Sequence, residues 1–592
     1  MTCDLDAEWE PLGPFGGAAA FVQVDPHCSQ HVLVGTTNAT LFQSQNSGES
    51  WASLPLPARM RATLQAIVLD WQTPNVILVG LSGESPDYSG ILRSADGGTT
   101  WQQLPALRGK EVRAIAIWRG DSRVIAAGVQ DGVYLTRDGG TNWSRISPAE
   151  NRELQPVVSL AFDPSDSRVI YAGTPHLPWK TVNGGETWQR IQTGMVDDSD
   201  VFSIQVDRSR PLRVFATACS GIYRSLNGGS TWVKMRAAKG ASYRTYVVVQ
   251  DPLHANLLYA GTAQGLAKSE DRGITWETVL PYTTRSVSFD LAHIGRIFVA
   301  TDQAGILRSD DSGRGWREMN RGFFNRALSG LASSDRGDLY VNVLDGDRGT
   351  TLRLGNGPSL WEVAAPTQVL QPAGQLRVQN SERIIMSTQT SLLASEDTGN
   401  TWKKMGLAVS SAGIRGFAIL DAPWIAAITA SRIFFSSDAA NWKASAFLPK
   451  DFDVNGLVAT GGQSLLVATS SGLVSSDDFG RSWQPVEGEH QGNTITAICR
   501  HPTRPSIIFL SRYGSVYTSS DRGRSWHKLS ADCSPIDTIM QLIVVPGAPD
   551  RLFALTKHEG VYALSLDKHQ HELTGRPRYP LDDSRKISAE LP

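Results

Sequence analysis

Cysteine is scarce in this chain. Cys3, Cys28, Cys219, Cys499 and Cys533 are spread over 592 positions, odd in number and without a C-x-x-C pair. That argues against a disulfide framework or a cysteine zinc site, and free thiols are expected. Long hydrophobic runs are missing as well. No apolar stretch reaches the roughly 18 residues that cross a bilayer as a helix, so membrane insertion is not expected. Neither sign of charge dominates: 56 Lys and Arg stand against 58 Asp and Glu, a formal net charge of −2. A generic nucleic-acid binder would need a basic excess, so nucleic acid is not an expected partner. The eleven histidines contain no HExxH, and the single H-x-H spacing, His569 and His571, lies close to the C-terminus. No Walker loop, nucleophile elbow or G-x-G-x-x-G opening a helix is found, so neither metal nor cofactor is expected. Residues 1–10 have neither a basic n-region nor an apolar h-region. The expected compartment is the cytoplasm, or the exterior if a leader has been removed. No long amphipathic helical stretch occurs.

What the chain has in abundance is one eight-residue pattern, S/T-x-D/N-x-G-x-T/S-W. It reads SADGGTTW at 94–101 and TRDGGTNW at 136–143, and recurs at 181–188, 225–232, 269–276 and 309–316. It returns at 395–402, 476–483 and 519–526, loosely at 44–51, and in degenerate form at 353–361 and 436–442, the last one residue short. Twelve of the 17 tryptophans end such a box, so chance is excluded. Asp or Asn at the third position can bond backbone amides ahead of it and close a tight turn. Glycine at the fifth tolerates positive φ. The tryptophan is large enough to be shared between neighbouring sheets, with its N–H left for a polar partner. Asp96, Asp138, Asp271, Asp311, Asp397, Asp478 and Asp521 are therefore expected to be structural and not catalytic acids.

Around each box, short alternating stretches supply three further strands. Residues 157–162, a turn at Asp163-Pro164 and 169–174 are one example. Four strands with period-2 patterning make one propeller blade, and the fold class is all-β. About thirteen units can be traced, too many for one ring of the usual four to eight blades. Two tandem β-propellers are expected, seven blades and then six or seven. Residues 1–12, with Trp9-Glu10-Pro11-Leu12, read as a closing outer strand. Residues 13–322 form the first propeller, 323–573 the second, and 574–592 a polar, disordered tail.

The boxes resemble the Asp-box, and the chain is thereby similar to the Asp-box β-propellers: sialidases, xyloglucan-cleaving glycosidases, sortilin-type receptors and photosystem II assembly factors. The Arg-Ile-Pro motif of sialidases is missing, as are the single ten-bladed ring and Cys-rich module of sortilins. The xyloglucan-cleaving family implies two seven-bladed rings with one catalytic aspartate from each. The first of these lies in an N-terminal glycine-rich stretch. Here residues 13–23 hold Gly16-Gly17 but no aspartate before Asp25, which precedes Pro26 at a repeated turn. The assembly factors imply a noncatalytic ring with an arginine patch.

Chemistry is therefore sought on the face opposite the boxes. Weak acid candidates are Asp197 and Asp198 in the first ring, with Asp453 in the second. Arg113 and Arg285 precede inner strands at equivalent positions and are expected to face the mouth of the first channel, where guanidinium binds anions. Tyr88, His176, Trp179, Tyr243 and Tyr282 add aromatic and imidazole groups on the same loops, suited to stacking on sugars or peptide side chains. The expected function is a noncatalytic binding or scaffold module for a glycan or protein ligand, monomeric. The alternative is a xyloglucanase-like hydrolase with an acid pair between the propellers.

Overall fold

The computed structural model describes residues 9–566, apart from 58–61, 197–199, 236–243, 335–336, 346–347, 355–360, 370–375, 379–382, 389–390, 398–400, 407–412, 422, 430–431, 449–452 and 530–537. Among the described residues thirteen four-stranded antiparallel sheets account for nearly all regular structure, with three single-turn 3-10 helices. No helix among them is long and apolar enough to cross a membrane. The chain divides into two units, Gly16–Asn325 and a second made of Met1–Phe15 with Arg326–Pro592. The first unit is thus inserted in sequence between the N-terminal strand of the second and the remainder of it.

The first unit is a ring of seven blades, at 21–54, 62–103, 112–145, 159–190, 201–234, 245–280 and 284–318, each running from inner to outer strand. Blade seven packs on blade one: Val22, Val34 and Phe42 share a core with Phe298, Ile306 and Met319, and the Val24 amide donates to Ser288 Oγ at 2.9 Å. Gly16–Gly17 pairs in parallel with Phe324–Asn325 at the same seam. The second unit is a ring of six, at 327–369, 376–404, 416–444, 454–485, 497–528 and 539–565. The strand Glu10–Gly13 supplies the outer strand of the sixth blade by pairing with Val561–Ser565. That strand also ties the ring shut, since Trp361 of the first blade donates its indole N–H to Leu12 O at 2.7 Å.

The boxes that carry the full pattern are closed hydrogen-bonded units. Ser94 Oγ accepts from the Gly98 amide at 2.7 Å and donates to Asp96 Oδ1 at 2.8 Å. Asp96 in turn accepts the Thr100 amide at 2.9 Å and the Thr100 hydroxyl at 2.6 Å. These bonds, the Thr100 hydroxyl first, bring the Asp96 carboxyl down to about 2. The same bonds hold Asp138, Asp271, Asp478 and Asp521. Asp311 and Asp397 are held in the same way. The turn has one feature beyond the sequence reading. Its fourth residue is left-handed as well as its fifth, at φ +70° for Gly97 and +62° for Arg272.

The boxes also join the blades. A fully buried second-strand aromatic of one blade lies under the box glycine of the next: Tyr171 under Gly229, Phe215 under Gly273, Tyr259 under Gly313. In five blades of the first ring the residue three places after the box tryptophan donates its amide back to the third strand and turns its side chain into the same space. Leu104, Ile146, Ile191, Met235 and Met319 do this in the first ring. In three blades of this ring the box tryptophan also donates its indole N–H to the carbonyl of the preceding plug: Trp51 to Met319 O, Trp188 to Ile146 O and Trp232 to Ile191 O. Each buried aromatic or aliphatic side chain of this kind contributes about 1.5–3 kcal/mol.

Candidate functional site

The inner strands of the first ring carry a regular irregularity. In five of the seven blades the register slips by one residue at the same point, near the end opposite the boxes. The extra residues are Gln65, Arg113, Phe202, Tyr246 and Arg285. A bulge re-aims one side chain without disturbing the strand around it. Here it gathers unlike side chains from neighbouring blades at one end of the channel.

Three of them, with Arg244, form a stacked ladder. The Arg244 guanidinium lies 4.7 Å from the Phe202 ring centroid and 6.0 Å from that of Tyr246. The Arg285 guanidinium also stacks on Tyr246, 4.0 Å from its centroid. Arg285 makes a bidentate pair with Asp302 as well, at 2.9 and 2.7 Å. Stacking and the carboxylate fork fix Arg285 in place. Arg244 has the stacking alone; it is exposed, and among the described residues no carboxylate pairs with it. Arg113 pairs with Glu111 at 3.0 Å, which offsets its charge.

The remaining sequence candidates scatter. Tyr282 is exposed, three residues before Arg285. Tyr88 is half-buried in the single turn Pro86–Tyr88. His176 is exposed at a turn, with its amide on Thr174 Oγ1. Trp179 does not sit on a loop. It falls in the strand Leu177–Thr181, 8% exposed, packed with Val133, Leu154 and Ala172 in the core between blades three and four. Alternation along that strand points it inward. Asp453 carries an ion pair with Arg415. Asp197, Asp198 and Tyr243 lie outside the described residues. Among the described residues no cluster of three or more His, Cys, Asp or Glu could hold a metal ion.

Two candidate residues escaped the sequence reading, at the box-side end of the same channel. Asp163, Asp207, Asp251 and Asp290, and Trp118 in their place in blade three, make the same amide bond six residues ahead and so occupy one circle. The next residues are Pro164, Arg208, Pro252, Leu291 and Arg119. Arg119 and Arg208 are the two cations of that circle, and neither has a hydrogen-bond or ion-pair partner among the described residues. Both side chains remain accessible, yet surrounding protein lowers the Arg119 pKa and brings Arg208 down to about 10, helped by the charge of Arg119. Aligning the first-to-second-strand turns would have found them.

Known proteins share this architecture. The GH74 enzyme of Niastella koreensis is 17% identical, with a TM-score of 0.68 over 94% of this chain and 99% of that one. The GH74 xyloglucanase of Xanthomonas campestris is 15% identical, with a TM-score of 0.69 over 94% and 100%. An ancestral GH74 enzyme, also 15% identical, has a TM-score of 0.71 over 98% and 100%. A family model described as Sortilin, neurotensin receptor 3, matches residues 471–574. No curated protein sequence matches the chain. The boxes and the four-stranded blades are features that this chain shares with the Asp-box β-propellers. At these identities the likeness to the GH74 structures is one of fold.

Proposed function

We propose that the chain is a noncatalytic binding module and that the mouth of the seven-bladed ring is its recognition surface. The observation that carries this reading is the ladder of Phe202, Arg244, Tyr246 and Arg285. Two aromatic rings and two guanidiniums from three blades are stacked in advance, so little side-chain entropy remains to be lost on binding. Arg244 offers an unpaired planar fork of donors, the geometry that recognises a carboxylate or the hydroxyls of a sugar. A glycan or a protein segment carrying such groups is the ligand expected there. Hydrolysis of a glycoside would need two carboxylates free to act as acid and base. Asp453, one candidate for such a pair, is engaged by Arg415.

The test is binding of the purified protein to panels of polysaccharides and peptides, with reducing-end release followed in the same wells. Binding without release is expected. Arg244→Ala should weaken it about ten-fold, equivalent to about 1.4 kcal/mol. Arg244→Lys should do nearly the same, because an ammonium neither stacks as a plane nor forks. Release of reducing ends by the wild-type protein, or full binding by Arg244→Ala, would overturn the reading.

A further inference from the structure

Among the described side chains the plug position is filled in the second ring as in the first, with one exception. Met405, Val486 and Leu529 donate their amides to Leu392, Leu473 and Val516 and fill the space beside their blades with hydrocarbon. Between blades three and four the same position is Ser445. Its amide makes the same bond, to Ile433 O at 2.7 Å, and its Cβ faces the next box glycine, Gly480. The register is kept, but the side chain is two heavy atoms long. Ser445 lies in the wall of a half-open pocket of about 620 Å³, lined also by Trp424, Phe435 and Phe479. The three rings form one cluster, with Phe479 centred 5.0 Å from Trp424 and 4.7 Å from Phe435. Phe479 holds its place at φ +58°, where the equivalent box positions elsewhere often carry glycine.

The polar groups around this cavity are not equivalent. The Ser445 hydroxyl is satisfied internally: it accepts from the Ile433 amide at 3.1 Å and donates to Ala446 O at 2.6 Å. Asp478 is held by Ser476 and Ser482 of its box, and Asp421 is paired with Arg500. Lys443 and Arg481 line the cavity, are exposed, and have no carboxylate partner among the described residues. The walls are aromatic, and with Asp421 neutralised by Arg500 the two cations Lys443 and Arg481 outnumber the one remaining carboxylate, Asp478, so the net charge at the rim is positive.

We propose that this pocket binds a small apolar acid, an aromatic or branched hydrocarbon group bearing one carboxylate or sulfonate. The hydrocarbon takes the space that a leucine or methionine occupies between other blades, and the anion meets Lys443 and Arg481. A pocket of this size is within the range that holds ligands of that class. The site belongs to the six-bladed unit and is independent of the ladder in the seven-bladed one.

The probe is 8-anilinonaphthalene-1-sulfonate, an aromatic sulfonate whose fluorescence rises in apolar surroundings, titrated into the full chain and competed with 4-phenylbutyrate. One competable site per chain is expected. Ser445→Ala and Ser445→Leu both remove the hydroxyl, but only leucine projects hydrocarbon into the pocket beside Gly480. Alanine should keep the site, and leucine should weaken binding at least ten-fold with the thermal midpoint no lower than that of the alanine variant. The Lys443→Gln, Arg481→Gln double variant should weaken the sulfonate several-fold and leave the uncharged N-phenyl-1-naphthylamine unaffected. No competable site in the wild-type protein, wild-type affinity in Ser445→Leu, or equal loss in the alanine and leucine variants would overturn the proposal.

Discussion

The two ends of a blade obey different rules. At the box end the same atoms recur around the ring: a hydroxyl takes the amide four residues on, and a carboxylate or amide oxygen closes the turn. Asn183 and Asn227 replace the aspartate and keep the pattern, with the carboxamide nitrogen donating to Thr187 and Thr231 at 2.9 Å. At the other end the backbone repeats and the side chains do not, so that one bulge presents Gln65, Arg113, Phe202, Tyr246 or Arg285 according to the blade. What repeats holds the strands, and what varies on a repeated frame is free to recognise something.

If that division is right, substitutions at the box end change stability and leave recognition alone. The largest effect is expected from Trp232→Ala. Trp232 is 3% exposed and its N–H donates to Ile191 O at 2.7 Å. Its loss should cost about 3–5 kcal/mol, read from denaturant unfolding. Affinity at the ladder, measured well below the new midpoint, should not move. A proportional loss of affinity in the folded protein would erase the division. Gly185→Ala comes next. Gly185 lies at φ +100°, and a Cβ there would sit 2.5 Å from Ile146 Cβ and 2.7 Å from Ile146 O. A cost of about 2 kcal/mol is expected from the backbone conformation and that contact. An unchanged midpoint would show that the turn can relax.

The same division explains what could be read from the chain. A box is decided within eight residues, so its hydroxyl, carboxylate, glycine and tryptophan announce the turn and the blade. Ladder contacts join Phe202 to Arg244 and Tyr246 to Arg285, residues far apart in the text, and only the ring closes that distance. Asp302 and Glu111 are ordinary polar residues in the text, and nothing local says that they neutralise Arg285 and Arg113. Trp179 misleads because a Pro precedes it and a turn is suggested, whereas the strand continues and buries the ring. Ser445 is legible only after the plug positions are aligned, and alignment needs the amide bonds that define them. The fold was therefore open to inspection almost entirely, and the candidate recognition surfaces only as a set of strand ends.

The smallest expected effect distinguishes aspartate boxes from asparagine boxes. Asp96 in its box sits at about 2, held first by the Thr100 hydroxyl and then by the Thr100 amide and Ser94. Desolvation opposes the bonds at Asp271 most strongly, yet its carboxyl too is brought to about 2. Bonds of the same kind bring Asp138 and Asp478 to about 2, the Asn142 amide leading at the first and the Ser482 hydroxyl at the second. A carboxyl whose folded pKa lies below its unfolded value of 3.8 binds more protons unfolded than folded as pH falls through that interval. Its stabilisation is complete above the unfolded value and is lost as pH descends toward the folded one. Thermal midpoints should therefore be level above about pH 5 and fall between about pH 4 and pH 2. Asp96→Asn should retain the turn, as Asn183 and Asn227 do, and contribute nothing to that fall, so its deficit against wild type at neutral pH should shrink in acid. Asp96→Ala should lower the midpoint at neutral pH by more than Asp96→Asn, because it leaves the Thr100 amide without its acceptor. An Asp96→Asn deficit that grows in acid would contradict the assignment of the acid limb to the boxes.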